Sequence, residues 1–226
     1  MLLAVLAAPD RSHAQVPPET IPAVEVGDVV ALTAGAVVAL APRLFGWGRD
    51  SAPCAPCDRA ALPAIDRWAL HEERPFWGSL SWVVLGGLVV AGVADVASQD
   101  LGGPYVTGMA ESLVWTTAAT EVLKAGVGRP RPVMYTARAP DVAHDGDNLR
   151  SFPSGHASAA FAVATAYWLA RRDLTGSPGA AGWAAVGTAG AVALLRVVGG
   201  KHFPTDVLAG ALLGIAGGVA VHAVKF

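Results

Sequence analysis

The sequence predicts an all-α integral membrane protein, a bundle of about six transmembrane helices. Hydrophobic residues make up 53% of its 226 residues and charged residues only 15%, whereas soluble domains carry about 25% charged residues. The net charge of −2 excludes a strongly basic nucleic-acid-binding protein. Apolar runs that approach the length of a bilayer span occur near residues 26–44, 76–97, 105–126, 156–170, 180–198 and 204–224.

The N-terminal segment, residues 1–25, precedes a single membrane-embedded domain that is expected over residues 26–226. Its apolar start is followed by Ser12-His13-Ala14, which resembles a signal-peptidase junction. However, the segment lacks the basic region that begins a signal peptide. The sequence therefore leaves open whether this segment is cleaved.

The first long connection, residues 45–75, is expected to contain a short interfacial helix. Pro63 fits the first turn of that helix. Ile65, Trp68 and Ala69 would then share one face, and the tryptophan would anchor it at the membrane surface.

The same connection holds both cysteines of the chain, Cys54 and Cys57. One pair without a thioredoxin-like βαβ pattern argues against a redox enzyme. On an oxidising side of the membrane the two could form a structural disulfide, and otherwise they would be two thiols.

The last apolar run contains a stripe of small residues. Gly210, Gly214 and Gly218 recur every four residues, a spacing that lets two helix backbones approach closely. We therefore expect this stripe to pack against another helix.

Six ionisable residues fall at helix ends on one side of the membrane. The third run ends where the second long connection, residues 127–155, begins, and the fourth run begins where that connection ends. The fifth and sixth runs meet at GGKHFPTD. The residues that can therefore converge are Lys124, Arg131, His156, Arg196, His202 and Asp206.

Three of these residues, Lys124, Arg131 and Arg196, are fixed cations that suit a doubly charged tetrahedral anion. Ser154 and Gly155, at the start of a helix, could add a hydroxyl and backbone N–H groups to an anion cradle. Taken singly, Ser154 could be a plain N-cap and Arg196 a snorkelling side chain. Their convergence on one side favours the anion site.

The HFPTD block adds a candidate nucleophile. Pro204 suits the first helical position, which places Asp206 at the third position, where it can reach back toward His202. A carboxylate that holds one imidazole nitrogen leaves the other nitrogen nucleophilic. The alternative is that Asp206 only caps the helix.

Three sequence blocks occur together in a characteristic order. KAGVGRPRP fits K-x(6)-R-P, PSGH follows, and RVVGGKHFPTD fits R-x(5)-H-x(3)-D. In this order they resemble the type 2 phosphatidic acid phosphatase family, the lipid phosphate phosphatases, which share a superfamily with the vanadium haloperoxidases. The resemblance covers roughly residues 76–224. One departure is Leu195, where the family usually has a serine before the arginine.

The resemblance implies a phosphatase that cleaves a phosphomonoester or pyrophosphate lipid without a metal or other cofactor. The residue matching His202 would attack phosphorus and form a phosphohistidine. The residue matching His156 would protonate the leaving oxygen and then activate water. Candidate substrates are phosphatidic acid, phosphatidylglycerol phosphate, undecaprenyl pyrophosphate and a lipid A phosphate.

Two other functions are compatible with parts of this pattern. The same pocket could hold vanadate, but the haloperoxidases are soluble whereas this sequence predicts a membrane bundle. A catalytically inactive lipid-binding or scaffold protein is the non-enzymatic alternative, although both histidines are present. The sequence does not indicate whether the protein is a monomer or an oligomer.

The orientation follows from charges outside the site. Arg171 and Arg172 lie between the fourth and fifth runs, so that side is expected to be cytoplasmic. The site would then face the periplasm of a bacterial inner membrane. Arginines in the first long connection oppose this assignment, namely Arg49, Arg59, Arg67 and Arg74.

Overall fold

The computed structural model describes residues 24–48 and 52–226, and over these residues the fold is all-helical. Six long helices form a bundle: α1 (Val26–Leu44), α3 (Pro75–Ala97), α4 (Gly103–Val127), α6 (Gly155–Thr175), α7 (Gly179–Val198) and α8 (Pro204–Lys225). The two long connections contain the short helices α2 (Ala64–Arg67) and α5 (Ala139–Val142), with 3₁₀ turns at Arg59–Ala61, Pro132–Tyr135 and Gly146–Leu149. The predicted all-α membrane bundle is confirmed. The signal-like sequence before residue 24 lies outside the described residues.

Four of the long helices, α1, α3, α7 and α8, are long and apolar enough to cross a membrane. The other two, α4 and α6, have 25 and 21 residues but are more polar. Helix α6 lies in the middle of the bundle, in contact with α3, α4, α7 and α8. Because its neighbours cover it, its surface does not have to be as apolar as that of a lipid-exposed helix. The number of six spans stays a prediction.

The glycine stripe of α8 packs against α6, as predicted. All three glycines are buried, and a Cβ atom added to Gly210 would lie 2.6 Å from the carbonyl oxygen of Ser154. At Gly218 the same atom would lie 3.0 Å from the carbonyl oxygen of Ala162. The close contact places the start of α8 beside the start of α6, where Ser154 N–H donates to the Asp206 carbonyl at 3.0 Å.

The short helix α2 differs from the prediction in its details. Pro63 is the N-cap rather than a residue of the first turn. Ile65 and Trp68 are exposed as expected of an interfacial helix, but Ala69 is fully buried. The helix ends at Arg67 with Trp68 as its C-cap, so Ala69 lies beyond it and does not share its exposed face.

A disulfide joins Cys54 and Cys57, which resolves the alternative that the sequence left open. The N–H of Cys57 donates to the carbonyl of Met134 at 2.8 Å. Cys57, Val133, Met134 and Ala139 form a small buried cluster. The first long connection is therefore packed on the second, at the end of the bundle where α4 ends and α6 begins.

Hydrogen bonds hold the second long connection in a defined conformation. Helix α4 is followed by its C-cap Gly128, which adopts the left-handed conformation with φ 58° and so lets the chain turn without a Cβ clash. The N–H of Arg131 then donates to the Asn148 carbonyl at 2.8 Å, and the amide of Asn148 donates to the Val142 carbonyl. These bonds fold the connection back over Arg131.

Candidate active site

A cavity of about 860 Å³ opens where the ends of α3, α4, α6 and α7 meet the second long connection. We call it the site cavity. Six of the eight predicted site residues line it, namely Lys124, Arg131, Gly155, His156, Arg196 and His202. Ser154 and Asp206 are fully buried and lie outside its lining. Leu195, which replaces the serine usual in the family, does not line it either.

Positive charge exceeds negative charge around the site cavity. Its lining includes five cationic side chains and two carboxylates, an excess of three charges if both histidines are neutral. The cations are Arg43, Lys124, Arg131, Arg196 and Lys201, and the carboxylates are Glu121 and Asp147. An excess of this size in a partly buried cavity favours a multiply charged anion.

Lys124 forms an ion pair with Glu121, with Nζ 3.2 Å from Oε1. A Cβ atom at Gly155 would lie 3.2 Å from the same Nζ, so the missing side chain lets the start of α6 approach the ammonium group. The ammonium group thus lies at the first turn of α6, where free backbone N–H groups point.

Four buried polar atoms of predicted site residues have no hydrogen-bond partner among the described residues. They are Arg131 Nε, Arg196 Nε, Ser154 Oγ and His156 Nε2. Arg196 does hold Ser81 Oγ through Nη1 at 3.1 Å, which fixes the guanidinium while its Nε stays unpaired. Buried donors without partners are costly, and a phosphate group in the site cavity would supply acceptors for those side chains that line it.

His202 is held so that one imidazole nitrogen keeps its lone pair. Its Nδ1 lies 2.8 Å from the carbonyl oxygen of Ser151. Because a carbonyl can only accept, Nδ1 carries the hydrogen and Nε2 of the neutral ring does not. Burial, aided by the charges of Arg131 and Arg196, lowers the pKa of His202 to about 3, against an opposing effect of Asp206. The ring is therefore neutral at physiological pH.

Asp206 supports His202 less directly than the sequence indicates. Its Oδ2 lies 3.6 Å from His202 Nδ1, beyond hydrogen-bond distance. That oxygen accepts from Ser151 Oγ at 2.6 Å and from the Phe203 N–H at 2.9 Å. Asp206 therefore does cap α8, and it reaches the histidine through Ser151, whose hydroxyl and carbonyl serve the two side chains.

Sequence reasoning missed Asp147, which lies inside the site cavity. Its Oδ2 is 2.7 Å from Nη2 of Arg131. Burial would raise the pKa of Asp147, but the nearby charges of Arg131, Lys124 and Arg43 outweigh burial and lower it. No local pattern marks this residue, because its role depends on how the connection folds back over Arg131.

The other end of the site cavity is apolar. Its lining there comes from α3, α4 and α6 and includes Leu85, Gly86, Val89, Val90, Leu113 and Ala159. Trp82 stands between the two ends, with its ring centroid 4.1 Å from that of His156. Trp82 and Val90 are also strongly exposed on the bundle surface, so the cavity continues into a groove along α3 on the outside of the bundle.

A family model described as the PAP2 superfamily matches residues 105–226. This is more than half of the chain, and the chain belongs to that superfamily. No curated protein and no solved structure matches it significantly. Membership supports a phosphatase that acts on phosphate esters, in a protein whose apolar helices indicate a membrane.

Proposed function

We propose that this chain is a membrane lipid phosphatase that hydrolyses a phosphomonoester or pyrophosphate lipid through a phosphohistidine on His202. One observation carries the proposal: a single cavity joins two imidazoles and an excess of cations to an apolar groove. The charged end suits a phosphate group, and the groove suits an acyl or prenyl chain.

In the first half of the reaction, Nε2 of His202 attacks phosphorus and forms a P–N bond while the P–O bond to the lipid breaks. Lys124, Arg131 and Arg196 bind the non-bridging oxygens and stabilise their developing charge. His156 gives a proton to the departing lipid oxygen. The bound phosphate dianion stabilises the protonated imidazole that this step requires.

In the second half, water attacks the phosphohistidine and His156 accepts a proton from it. The P–N bond breaks, inorganic phosphate leaves, and His202 recovers its lone pair. The backbone N–H groups at Gly155, at the start of α6, complete the phosphate cradle in both halves.

Neither half requires a metal ion, because the arginines and the lysine neutralise the phosphate charge. We therefore expect the purified protein to keep its activity in excess EDTA. Loss of activity on chelation, with recovery on adding magnesium or zinc, would contradict this part of the proposal.

The activity itself is tested with purified protein in detergent micelles. Phosphate release is measured from phosphatidic acid, phosphatidylglycerol phosphate, undecaprenyl pyrophosphate and a lipid A phosphate, with nitrophenyl phosphate as a water-soluble substrate. We expect at least one lipid to be cleaved with a higher kcat/KM than the soluble ester. If no substrate releases more phosphate with wild type than with His202→Ala, the inactive lipid-binding alternative is correct.

Two neighbouring glycines of α3 test whether the groove binds the lipid chain. A Cβ atom at Gly86 or at Gly87 would meet no described atom within 4 Å, but only Gly86 lines the site cavity. In Gly86→Leu the new side chain should occupy part of the groove. KM for a long-chain lipid phosphate should therefore rise about tenfold, which corresponds to a loss of about 1.4 kcal/mol in binding free energy. It should leave nitrophenyl phosphate hydrolysis unchanged, and Gly87→Leu should change neither. Equal losses on both substrates would argue against a lipid groove.

We further propose that the site faces the periplasm of a bacterial inner membrane. Arg171 and Arg172 lie at the opposite end of α6 from His156, and the disulfide lies on the site side, where an oxidising compartment would maintain it. A cysteine at the exposed Ser177 should react with a membrane-impermeant thiol reagent only after the cytoplasmic side is opened. Labelling in intact cells would show that the site faces the cytoplasm instead.

A further inference from the structure

We infer that Arg129 and Asp66 are positioning residues for the nucleophile and that they act on His202 through Asp206. The inference rests on the proposed function. Neither residue lines the site cavity, and Asp66 lies outside the stretch matched by the family model. The pair therefore adds an element from the first long connection to the catalytic part of the chain.

Arg129 joins two buried carboxylates. Its Nη1 lies 2.5 Å from Oδ1 of Asp206 and its Nη2 lies 2.7 Å from Oδ2 of Asp66. Both aspartates are fully buried. A planar guanidinium can hold two acceptors in fixed directions, whereas an ammonium group cannot fix them in one plane. Without it, the two carboxylates would lack their shared counter-charge.

Asp66 is also anchored on the first turn of α8. Its Oδ1 accepts from the Thr205 N–H at 3.1 Å, and its Oδ2 accepts from Thr205 Oγ1 at 2.7 Å. Thr205 Oγ1 in turn accepts from Arg129 Nη1 at 2.7 Å. A carboxylate at a helix N-terminus is favourable because of the helix dipole. Asp66 thereby fixes Arg129 relative to the turn that follows His202.

The guanidinium of Arg129 contacts that turn from a second direction. It lies over the ring of Phe203, 4.5 Å from the ring centroid. Phe203 directly follows His202, and its N–H donates to Asp206. Arg129 therefore restrains both the backbone beside the nucleophile and the carboxylate that caps it.

The remaining connection to the imidazole runs through Ser151. The hydroxyl of Ser151 donates to Asp206, and its carbonyl accepts from Nδ1 of His202. If Asp206 rotates, the carbonyl that selects the Nδ1–H tautomer loses one of its restraints. A smaller fraction of His202 would then present an unprotonated Nε2 to the phosphate.

This arrangement predicts a loss in the chemical step and little loss in substrate binding, because Lys124, Arg131 and Arg196 keep their places. We expect Asp66→Asn and Arg129→Lys each to lower kcat about tenfold or more, comparable to the loss of groups that orient metal-bound histidines, with KM little changed. The matched control is Asp95→Asn, which removes a carboxylate paired with Arg171 at 2.6 Å at the other end of the bundle. Its kcat should equal that of wild type.

A second readout does not depend on activity. In protein labelled with ¹⁵N-histidine, His202 of wild type should show a protonated Nδ1 and an unprotonated Nε2, and Asp66→Asn should show a mixture of tautomers. His202→Gln assigns the signals. An unchanged tautomer together with an unchanged kcat would overturn the inference, as would a rise in KM that accounts for the whole loss.

The milder variant Thr205→Val decides the question if the charge variants do not fold. It removes one hydroxyl between Arg129 and Asp66 and should lower kcat severalfold with KM unchanged, whereas an unaltered kcat would contradict the inference. If wild type cleaves no phosphate ester, the proposed function fails, and the tautomer measurement still tests the positioning role.

Discussion

Two cavities at opposite ends of the bundle each contain a lysine, but the two lysines are paired differently. The second cavity, of about 540 Å³, lies among α1, α4 and α8, and we call it the Lys225 cavity. There Lys225 forms ion pairs with both Asp28 and Glu111. The positive charge of Lys225 is therefore neutralised by two carboxylate partners.

In the site cavity, by contrast, cationic side chains outnumber carboxylates. Glu121 is the carboxylate that pairs with Lys124, and it is shared with Arg43 and Arg150. Arg131 and Arg196 each have a buried Nε without a partner among the described residues. A cavity and a buried lysine are thus common to both ends. What distinguishes the candidate site is positive charge that the protein itself does not neutralise.

The largest expected effect comes from His202→Ala, which removes the proposed nucleophile at the charged end. Without it no phosphohistidine can form, so kcat should fall by about 10⁴-fold or more on every substrate, lipid or soluble. Phosphate release and trapping of the phosphoenzyme measure this. Activity within tenfold of wild type would show that His202 is not the nucleophile.

His156→Ala should have an effect that depends on the leaving group. General acid catalysis contributes about 10²–10⁴-fold, so single-turnover cleavage of a lipid phosphate should fall by that factor. Nitrophenyl phosphate should lose much less, because a phenolate leaves without a proton. Single-turnover measurement isolates the first step, since His156 also serves in the second. Equal losses on both substrates would leave His156 as a phosphate ligand and not an acid.

Substitution of the two lysines tests most directly whether the two cavities differ in function. Lys124→Met should lower kcat/KM about 10²-fold or more, because it removes a cation from the phosphate oxygens. Lys225→Met should leave kcat/KM unchanged and instead lower the stability by about 1–3 kcal/mol, because the buried Glu111 and the half-buried Asp28 lose their partner. Assays and thermal unfolding of both variants measure this. A comparable loss of activity in both variants would contradict the distinction between the cavities.

The last expected effect concerns stability and not activity: a pH dependence due to His202. Its pKa is lowered to about 3 in the folded protein, so between pH 6.5 and 3 the unfolded chain binds the proton more readily. Stability should therefore fall as the pH decreases below 6.5, with a slope of up to about 1.4 kcal/mol per pH unit from this group. His202→Gln should show a shallower dependence, and His144→Gln, at an exposed histidine, should match wild type. Parallel curves for all three proteins would show that His202 is not held neutral by burial.

The sequence by itself determined the bundle and most of the candidate site. Hydropathy gave the positions of the six long helices, because a run of apolar residues is a local property of the chain. The count of helix ends placed Lys124, Arg131, His156, Arg196 and His202 on one side, and the structure brings all five around one cavity. The glycine spacing of α8 correctly predicted its contact with α6.

The tertiary structure decided what each of these residues touches. Asp206 reaches His202 through Ser151 rather than directly, Asp147 enters the site cavity beside Arg131, and Asp66 binds the start of α8 from 139 residues away. Such contacts depend on how the two long connections fold against each other. A short sequence window carries no information about that packing, because the partners are distant in the chain. In addition, polar residues are common in any exposed loop, so their presence there does not indicate a buried contact.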